Sequence, residues 1–308
     1  MKENAKVIVN IASGYVNEFG QDVVRKQIMD IFGPETNLIF VEPEKLSDEL
    51  EALDGDTDTV FVGGGDGTIK SAAQILGSKQ IPFGIIPLGT MNLMAQDLGI
   101  PPNTTNALKE YQSGAHTRAI DVGVVNGEQF LCNAALGAIP KTAKFRERSR
   151  KNGILQTIPL ILNKIFKELD HAKSRTYTLS TNGENHDVKT PLLVISNNLI
   201  KQTDGLNLNT FQRECLTENT LGVYSSEPKN AYDKIRFLMQ LGIGGWSKDP
   251  IVRRWTYPEI TISTDKKTCL ISLDGENTEI ETPLKFKTEH KALNLIVPKK
   301  TKSMRGIL

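Results

Sequence analysis

Residues 63–68 read Gly-Gly-Gly-Asp-Gly-Thr. Gly63, Gly64, Gly65 and Gly67 strip the backbone of side chains, which admits positive φ and lets another group come close to the chain. An apolar run, Thr59–Val62, precedes the loop, and a helix-like stretch follows it. The first turn of that helix adds unpaired N–H groups and a positive dipole end. Together these make an anion site, and phosphate is the usual anion. A plain strand-to-helix turn needs only one glycine. Thr68 adds a hydroxyl that can cap the helix or touch a phosphate. Asp66 puts a carboxylate beside the same cradle, and Mg²⁺ held between it and the phosphates resolves the repulsion.

Residues 85–92, Ile-Ile-Pro-Leu-Gly-Thr-Met-Asn, repeat the arrangement. Gly89 and Thr90 make the approach, and Asn92 can bond a backbone or a phosphate oxygen. A third turn, Asn10–Gly14, follows the first apolar run. Three converging turns make a polyphosphate site the economical reading. The pattern is neither a Walker A loop nor a G-x-G-x-x-G on the first strand.

The elements around these turns alternate. Buried-strand runs lie at Lys6–Ile11, Asn37–Glu42, Thr59–Gly64 and Ile81–Pro87. Helical spacing is read over Val16–Phe32, Leu46–Leu53, Ile69–Leu76 (ended by Gly77) and Thr90–Leu98. This predicts an α/β domain with a mostly parallel sheet, whose ligands bind beyond the carboxyl ends of the strands. The back half carries short alternating runs such as Thr176–Thr181, Leu192–Asn197, Leu221–Ser226 and Thr268–Glu276. These predict an antiparallel β-sandwich.

A chain of 308 residues suits two domains. A net charge of +1 argues against nucleic acid as partner. The most apolar stretch, Ile154–Leu169, is interrupted by Gln156, Pro159, Asn163 and Lys164, so no transmembrane segment is expected. The N-terminus shows no signal-peptide pattern, which points to the cytoplasm. Cys132, Cys215 and Cys269 fit no zinc or disulfide framework and read as small buried hydrophobes. His116, His171, His186 and His290 are scattered and receive no role. Residues 141–151 hold six Lys or Arg against one Glu and precede an apolar face over Ile154–Leu169. That pattern reads first as a solvated loop before a packed helix, with an anionic membrane surface as the alternative. Val252–Trp255 is a shorter candidate of the same kind.

The blocks Gly63–Thr68, Pro87–Asn92 and Ala95–Pro101 resemble the catalytic domain of the diacylglycerol kinase family, which includes bacterial lipid kinases and sphingosine kinases. Ile120–Gly123, Phe130–Gly137, Ser196–Asn198 and Leu273–Glu276 continue the resemblance along the chain. It implies an ATP-binding α/β domain at 1–122 and a lipid-substrate β-sandwich domain at 123–308, with about 298–308 packing back on the first. It also implies an active site between them. Asn10, Ser13, Gly14, Gly64, Gly65, Asp66, Gly67, Thr68, Gly89, Thr90 and Asn92 would bind ATP. Asp66 and Asp121 would serve the Mg²⁺. Asp274 would be the general base, with Glu276 beside it, although Asp274-Gly275 also reads as a hairpin turn. The implied setting is cytoplasmic and peripheral at the inner membrane surface, with a lipid as substrate and a homodimer left open.

The chain departs from the family pattern at several places. Ile11-Ala12 stands in the first motif, Ile69-Lys70-Ser71 follows the Gly-rich loop, and Val41-Glu42 lacks a threonine. Leu93 replaces a carboxylate, and Glu218-Asn219 replaces a metal-binding pair, which puts a structural Mg²⁺ there in doubt. An NAD kinase-like enzyme and a catalytically weak lipid- or nucleotide-binding regulator are the rival readings.

Overall fold

The computed structural model describes residues 5–54, 59–138, 140, 174–181, 183–202, 211–243 and 245–299. The expected basic stretch at 141–151 and the apolar face at 154–169 lie outside them. Cα packing divides the chain into two units, Met1–Ile120 with Lys291–Leu308, and Asp121–His290.

In the first unit, β1 (Ala5–Asn10) leads into α1 (Gly14–Phe19) and α2 (Gln21–Phe32). Then come β2 (Asn37–Val41), α3 (Leu46–Glu51), β3 (Thr59–Gly64), α4 (Asp66–Ser78) and β4 (Phe83–Pro87). The short α5 (Leu93–Asp97) and α6 (Thr104–Gln112) follow. The strands pair in parallel in the order β2-β1-β3-β4. Leu295 and Ile296, near the end of the chain, add a further parallel strand beside Phe83 and Gly84. Val60, Phe61, Val62, Ile85 and Ile86 are buried, as expected of strands covered on both faces. Tyr111 secures α6 to this sheet: its hydroxyl donates to Ile85 O or Ile296 O and accepts from Ile85 N.

Three boundaries differ from the sequence reading. Gly20, at φ 84°, breaks the helix expected over Val16–Phe32 into α1 and α2. Gly77 does not end its helix, which runs to Ser78; a Cβ there would meet Leu293 Cδ1 at 3.2 Å. Asn92 sits at φ 49°, so α5 cannot start at Thr90. Helix α6, which the reading of the first domain omitted, begins where the Asn103 side chain accepts from Asn106 N.

The second unit is antiparallel. It contains β5 (Ala115–Val125) from Asp121 onward, β6 (Glu128–Phe130), β7 (Asn133–Gly137), β8 (Arg175–Thr181), β9 (Glu184–Thr190) and β10 (Leu192–Asn197). After β11 (Leu221–Ser226) comes a helix, α7 (Ala231–Ile243), and then β12 (Val252–Tyr257), β13 (Glu259–Ser263), β14 (Thr268–Leu273), β15 (Glu276–Glu281) and β16 (Leu284–Pro298), of which the part up to His290 belongs to this unit. One sheet runs β12-β11-β10-β7-β14-β15; the start of β16 joins β13, β8 and β9 in the other. Tyr177, Leu179, Ile260, Ile262 and Phe286 from the second sheet share one core cluster with Leu136, Leu193, Ile195, Val223 and Ile271 from the first. That is the expected sandwich. Cys132 and Cys269 are buried, Cys215 is half-buried, and all three are free thiols.

Candidate active site

Strands β1, β3 and β4 run in one direction, so their carboxyl ends open on one edge of the sheet, and the three bare turns meet there. Taken in chain order the turns are Asn10–Gly14, Gly63–Thr68 and Pro87–Asn92, and the Asn10 side chain fastens the first to the second. Its Nδ2 donates to Thr68 Oγ1 at 2.9 Å, and its Oδ1 accepts from Ala12 N at 2.9 Å. Tyr15 N donates to Leu88 O at 3.0 Å, which ties the first turn to the third. Leu88 N donates to Gly64 O at 3.0 Å, and Leu93 N donates to Asp66 Oδ1 at 2.7 Å.

The glycines serve close approach rather than positive φ. Gly63, Gly64, Gly65 and Gly67 all lie outside the positive-φ region, which corrects the sequence argument on that point. A Cβ on Gly64 would fall 2.4 Å from Thr68 Cβ. A Cβ on Gly89 would fall 2.4 Å from Gly65 Cα and 2.8 Å from Asn92 Oδ1. The second and third loops therefore touch backbone to backbone. Asn92 is spent on this junction: its Oδ1 accepts from Gly89 N and its Nδ2 donates to Gly89 O, both at 2.9 Å.

One polar atom in this region stands apart from these bonds. Ser13 Oγ is buried without a hydrogen-bond partner among the described residues. It stands at the start of α1, one residue before Gly14, where a Cβ would pass 3.8 Å from Thr90 Oγ1. A groove of about 430 Å³ adjoins the first turn, lined by Ile11, Ala12, Val16, Asn17, Gly20, Gln21 and Pro43. The orphan hydroxyl and the bare backbone fit a polyphosphate. Among the described residues no three His, Cys, Asp or Glu side chains form a metal cluster. A lone Asp66 carboxylate still fits Mg²⁺, which takes one or two carboxylates and completes its shell with substrate phosphates and water.

The second unit holds the other carboxylates. Asp274 and Gly275 are the two central residues of the β14–β15 hairpin, at φ 54° and 93°, as a type I′ turn requires. The hairpin reading of Asp274 is thus correct as far as it goes. The carboxylate does more: Oδ2 accepts from Leu131 N at 2.7 Å, and Oδ1 accepts from Cys132 N at 2.8 Å and Asn133 N at 3.0 Å. Glu276 is exposed at the first position of β15.

Asp121 is fully buried. Its Oδ2 accepts from Asn219 N at 2.7 Å and Asn198 Nδ2 at 3.3 Å, and its Oδ1 lies 2.9 Å from His290 Nδ1. Buried Arg213 donates to Leu131 O at 2.5 Å and Asn197 O at 3.2 Å, on the carbonyl side of the segment that Asp274 holds by its N–H groups. Sequence reasoning gave Arg213 and His290 no role. Leu131 lies 82 residues from Arg213, and Asp121 lies 169 from His290, with no local pattern to announce them.

Comparison with known proteins shows what this chain is similar to. Residues 4–125 match the model of the diacylglycerol kinase catalytic domain. The chain is 28% identical over 255 residues to a Staphylococcus haemolyticus protein assigned as a lipid kinase, covering 78% of this chain and 77% of that one. It is 39% identical over 72 residues to a diacylglycerol kinase of Mycobacterium tuberculosis, which is 23% of each chain. A structure from Bacillus anthracis, assigned as a diacylglycerol kinase, superposes with TM-score 0.73 at 19% identity over 97% of this chain and 96% of its own. That superposition shows the fold.

The diacylglycerol kinase domain match contains all three turns, and with them every residue expected to bind ATP. No helix among the described residues is long and apolar enough to cross a membrane. Val252–Trp255, read as a short membrane candidate, forms most of β12. Trp255 packs on the sandwich core and lies 5.8 Å from the His186 ring.

Proposed function

We propose that this chain is a lipid kinase that transfers the terminal phosphoryl group of ATP to a lipid hydroxyl at the inner membrane surface. The single observation that carries the reading is the Gly65–Gly89 junction, with the unpartnered Ser13 hydroxyl in the adjoining turn. Phosphoryl transfer asks a protein mainly for positioning and electrostatic stabilisation. The α4 first-turn N–H groups, Ser13 Oγ and the Thr68 and Thr90 hydroxyls would donate to phosphate oxygens. Asn10 and Asn92 would keep the loops at their spacing. The groove beside Ile11 and Pro43 offers room for the nucleoside end.

Mg²⁺, arriving with ATP and held by Asp66, would supply charge neutralisation on the phosphates. Asp274 is proposed to accept the proton of the attacking hydroxyl, with its orientation fixed by the three N–H donors of Leu131–Asn133. Asp121 is proposed to support the metal network through water. The saturated contacts of Asp121 and the missing carboxylate at Leu93 favour a second reading, a nucleotide- and lipid-binding protein with slow turnover.

Incubation with radiolabelled ATP over a lipid extract, diacylglycerol, sphingoid bases and NAD⁺, separated by thin-layer chromatography, tests the proposal. Label in a lipid band is expected. Label only in NADP⁺, or none despite ATP binding, sinks it in favour of a rival.

A further inference from the structure

Helix α7 is fastened on one side and bare on the other. Phe237 is buried in a cluster with Leu192, Tyr224 and Trp246. Arg236 donates to Asp249 through two bonds of 2.9 Å, from Nε to Oδ2 and from Nη2 to Oδ1, and lies 3.6 Å from Asp233. The Asp249 side chain is fully buried, so this fork fixes the helix to the 3₁₀ turn Trp246–Lys248. On the side away from Phe237, Tyr232, Ile235 and Met239 are 69%, 51% and 60% exposed, the Tyr232 ring lying 5.6 Å from the Arg236 guanidinium carbon. At roughly 100° per residue the three fall within about 60° of one another, with Phe237 nearly opposite. Single exposed apolar residues are ordinary. A ridge of three on one helix face, with an aromatic at its start, marks a contact surface.

The charge around the helix selects the partner. Residues 227–257 hold six Lys or Arg against three Asp or Glu, in a chain whose net charge is only +1. Two of those acids, Asp233 and Asp249, face Arg236. Lys229, just before the helix, and Lys248, in the turn packed on it, are exposed. An exposed apolar ridge on a segment with this cationic excess matches an anionic bilayer, with side chains at the acyl boundary and cations at the headgroup phosphates. An apolar groove on a protein partner would not call for those cations.

We propose that α7 docks this protein on anionic membranes through Tyr232, Ile235 and Met239. The purpose of docking rests on the lipid kinase reading, since that substrate lies in the bilayer; its measurement does not.

The test is co-sedimentation of the whole chain, without ATP, with vesicles of phosphatidylcholine alone or containing phosphatidylglycerol. The wild type should pellet with the anionic vesicles and release as salt rises. A variant carrying Tyr232→Gln, Ile235→Gln and Met239→Gln keeps helix-forming side chains. It should bind those vesicles at least tenfold more weakly, with an unchanged melting temperature and unchanged turnover on a short-chain acceptor dispersed in solution. Equal binding by variant and wild type overturns the proposal, as does a wild type that never pellets. If the wild type is a dimer in sedimentation, the variant a monomer, and both bind vesicles alike, the ridge faces a second copy and the proposal falls. Loss of vesicle binding in the variant, with no lipid phosphorylated by either protein, leaves docking standing and sinks the kinase reading alone.

Discussion

The carboxylate of Asp66 accepts the backbone N–H of Leu93 at 2.7 Å, so the residue that opens α4 also holds the start of α5. Leu93 is the position where the diacylglycerol kinase pattern that the sequence resembles would carry a carboxylate. Here its side chain brings no charge, but its N–H orients the charge at Asp66. The proposed metal role and the observed contact with Leu93 N thus fall on one side chain, and two substitutions separate them.

Asp66→Asn keeps an oxygen for Leu93 N and removes the charge. Its melting temperature should stay near wild type while turnover falls by about 10²-fold or more, the scale of losing one group that stabilises the transferred charge. Asp66→Ala removes the acceptor as well and should lose a further 1–2 kcal/mol or so of stability, as other lost caps do. Thermal unfolding alongside turnover checks both. Near-wild-type turnover in Asp66→Asn would leave Asp66 as a cap only.

The Gly65–Gly89 junction predicts an asymmetry between two alanines. Gly89→Ala places a Cβ 2.4 Å from Gly65 Cα, whereas Gly65→Ala places one 3.3 Å from Gly89 Cα. The first must push the loops apart, at about 1–3 kcal/mol for overpacking. The second needs a shift of only a few tenths of an ångström. Gly89→Ala should therefore unfold several degrees lower and lose ATP affinity, while Gly65→Ala stays close to wild type in stability. Calorimetric melting decides it, and equal melting temperatures would mean the junction yields more easily than its geometry implies.

Asp274→Asn tests whether that carboxylate acts or only clamps. The turn itself accepts asparagine as readily as aspartate. The clamp does not: an amide offers one oxygen, so its NH₂ would face the Leu131 or Cys132 N–H, donor against donor. A stability loss of about 1–3 kcal/mol is expected from the unpaired group. If Asp274 is also the base, kcat should fall by about 10²- to 10⁴-fold at a temperature where the variant is fully folded. A kcat within about threefold of wild type there, well short of that range, would confine Asp274 to the clamp.

What the sequence disclosed was local. The Thr59–Thr68 block announces a buried strand, a bare turn and a helix start, because each follows from residue types a few positions apart. The break at Gly20 was harder to see, since apolar spacing continues across it from Val16 to Ile28. Helix α7 was passed over because short alternating runs surround it, although Phe237 and the exposed ridge at Tyr232, Ile235 and Met239 do follow a helical period. The clamp on Asp274 joins residues 141 to 143 positions apart, and the Asp121–His290 contact spans more. Such pairs are set by sandwich topology, so nothing in the spacing of Leu131–Asn133 or around His290 points to them.

Ser13→Ala is the most direct test of the claim that these turns hold ATP phosphates. The Ser13 hydroxyl is buried and has no partner among the described residues. Removing it should cost the free protein little, because no hydrogen bond among the described residues is lost. If it donates to a phosphate, the variant should bind a non-hydrolysable ATP analogue about tenfold or more weakly by calorimetry, since hydrogen bonds to charged groups contribute about 1.5–3 kcal/mol. Unchanged melting with weakened binding is the predicted result. Unchanged melting with unchanged affinity would place the nucleotide away from the first turn and contradict the account.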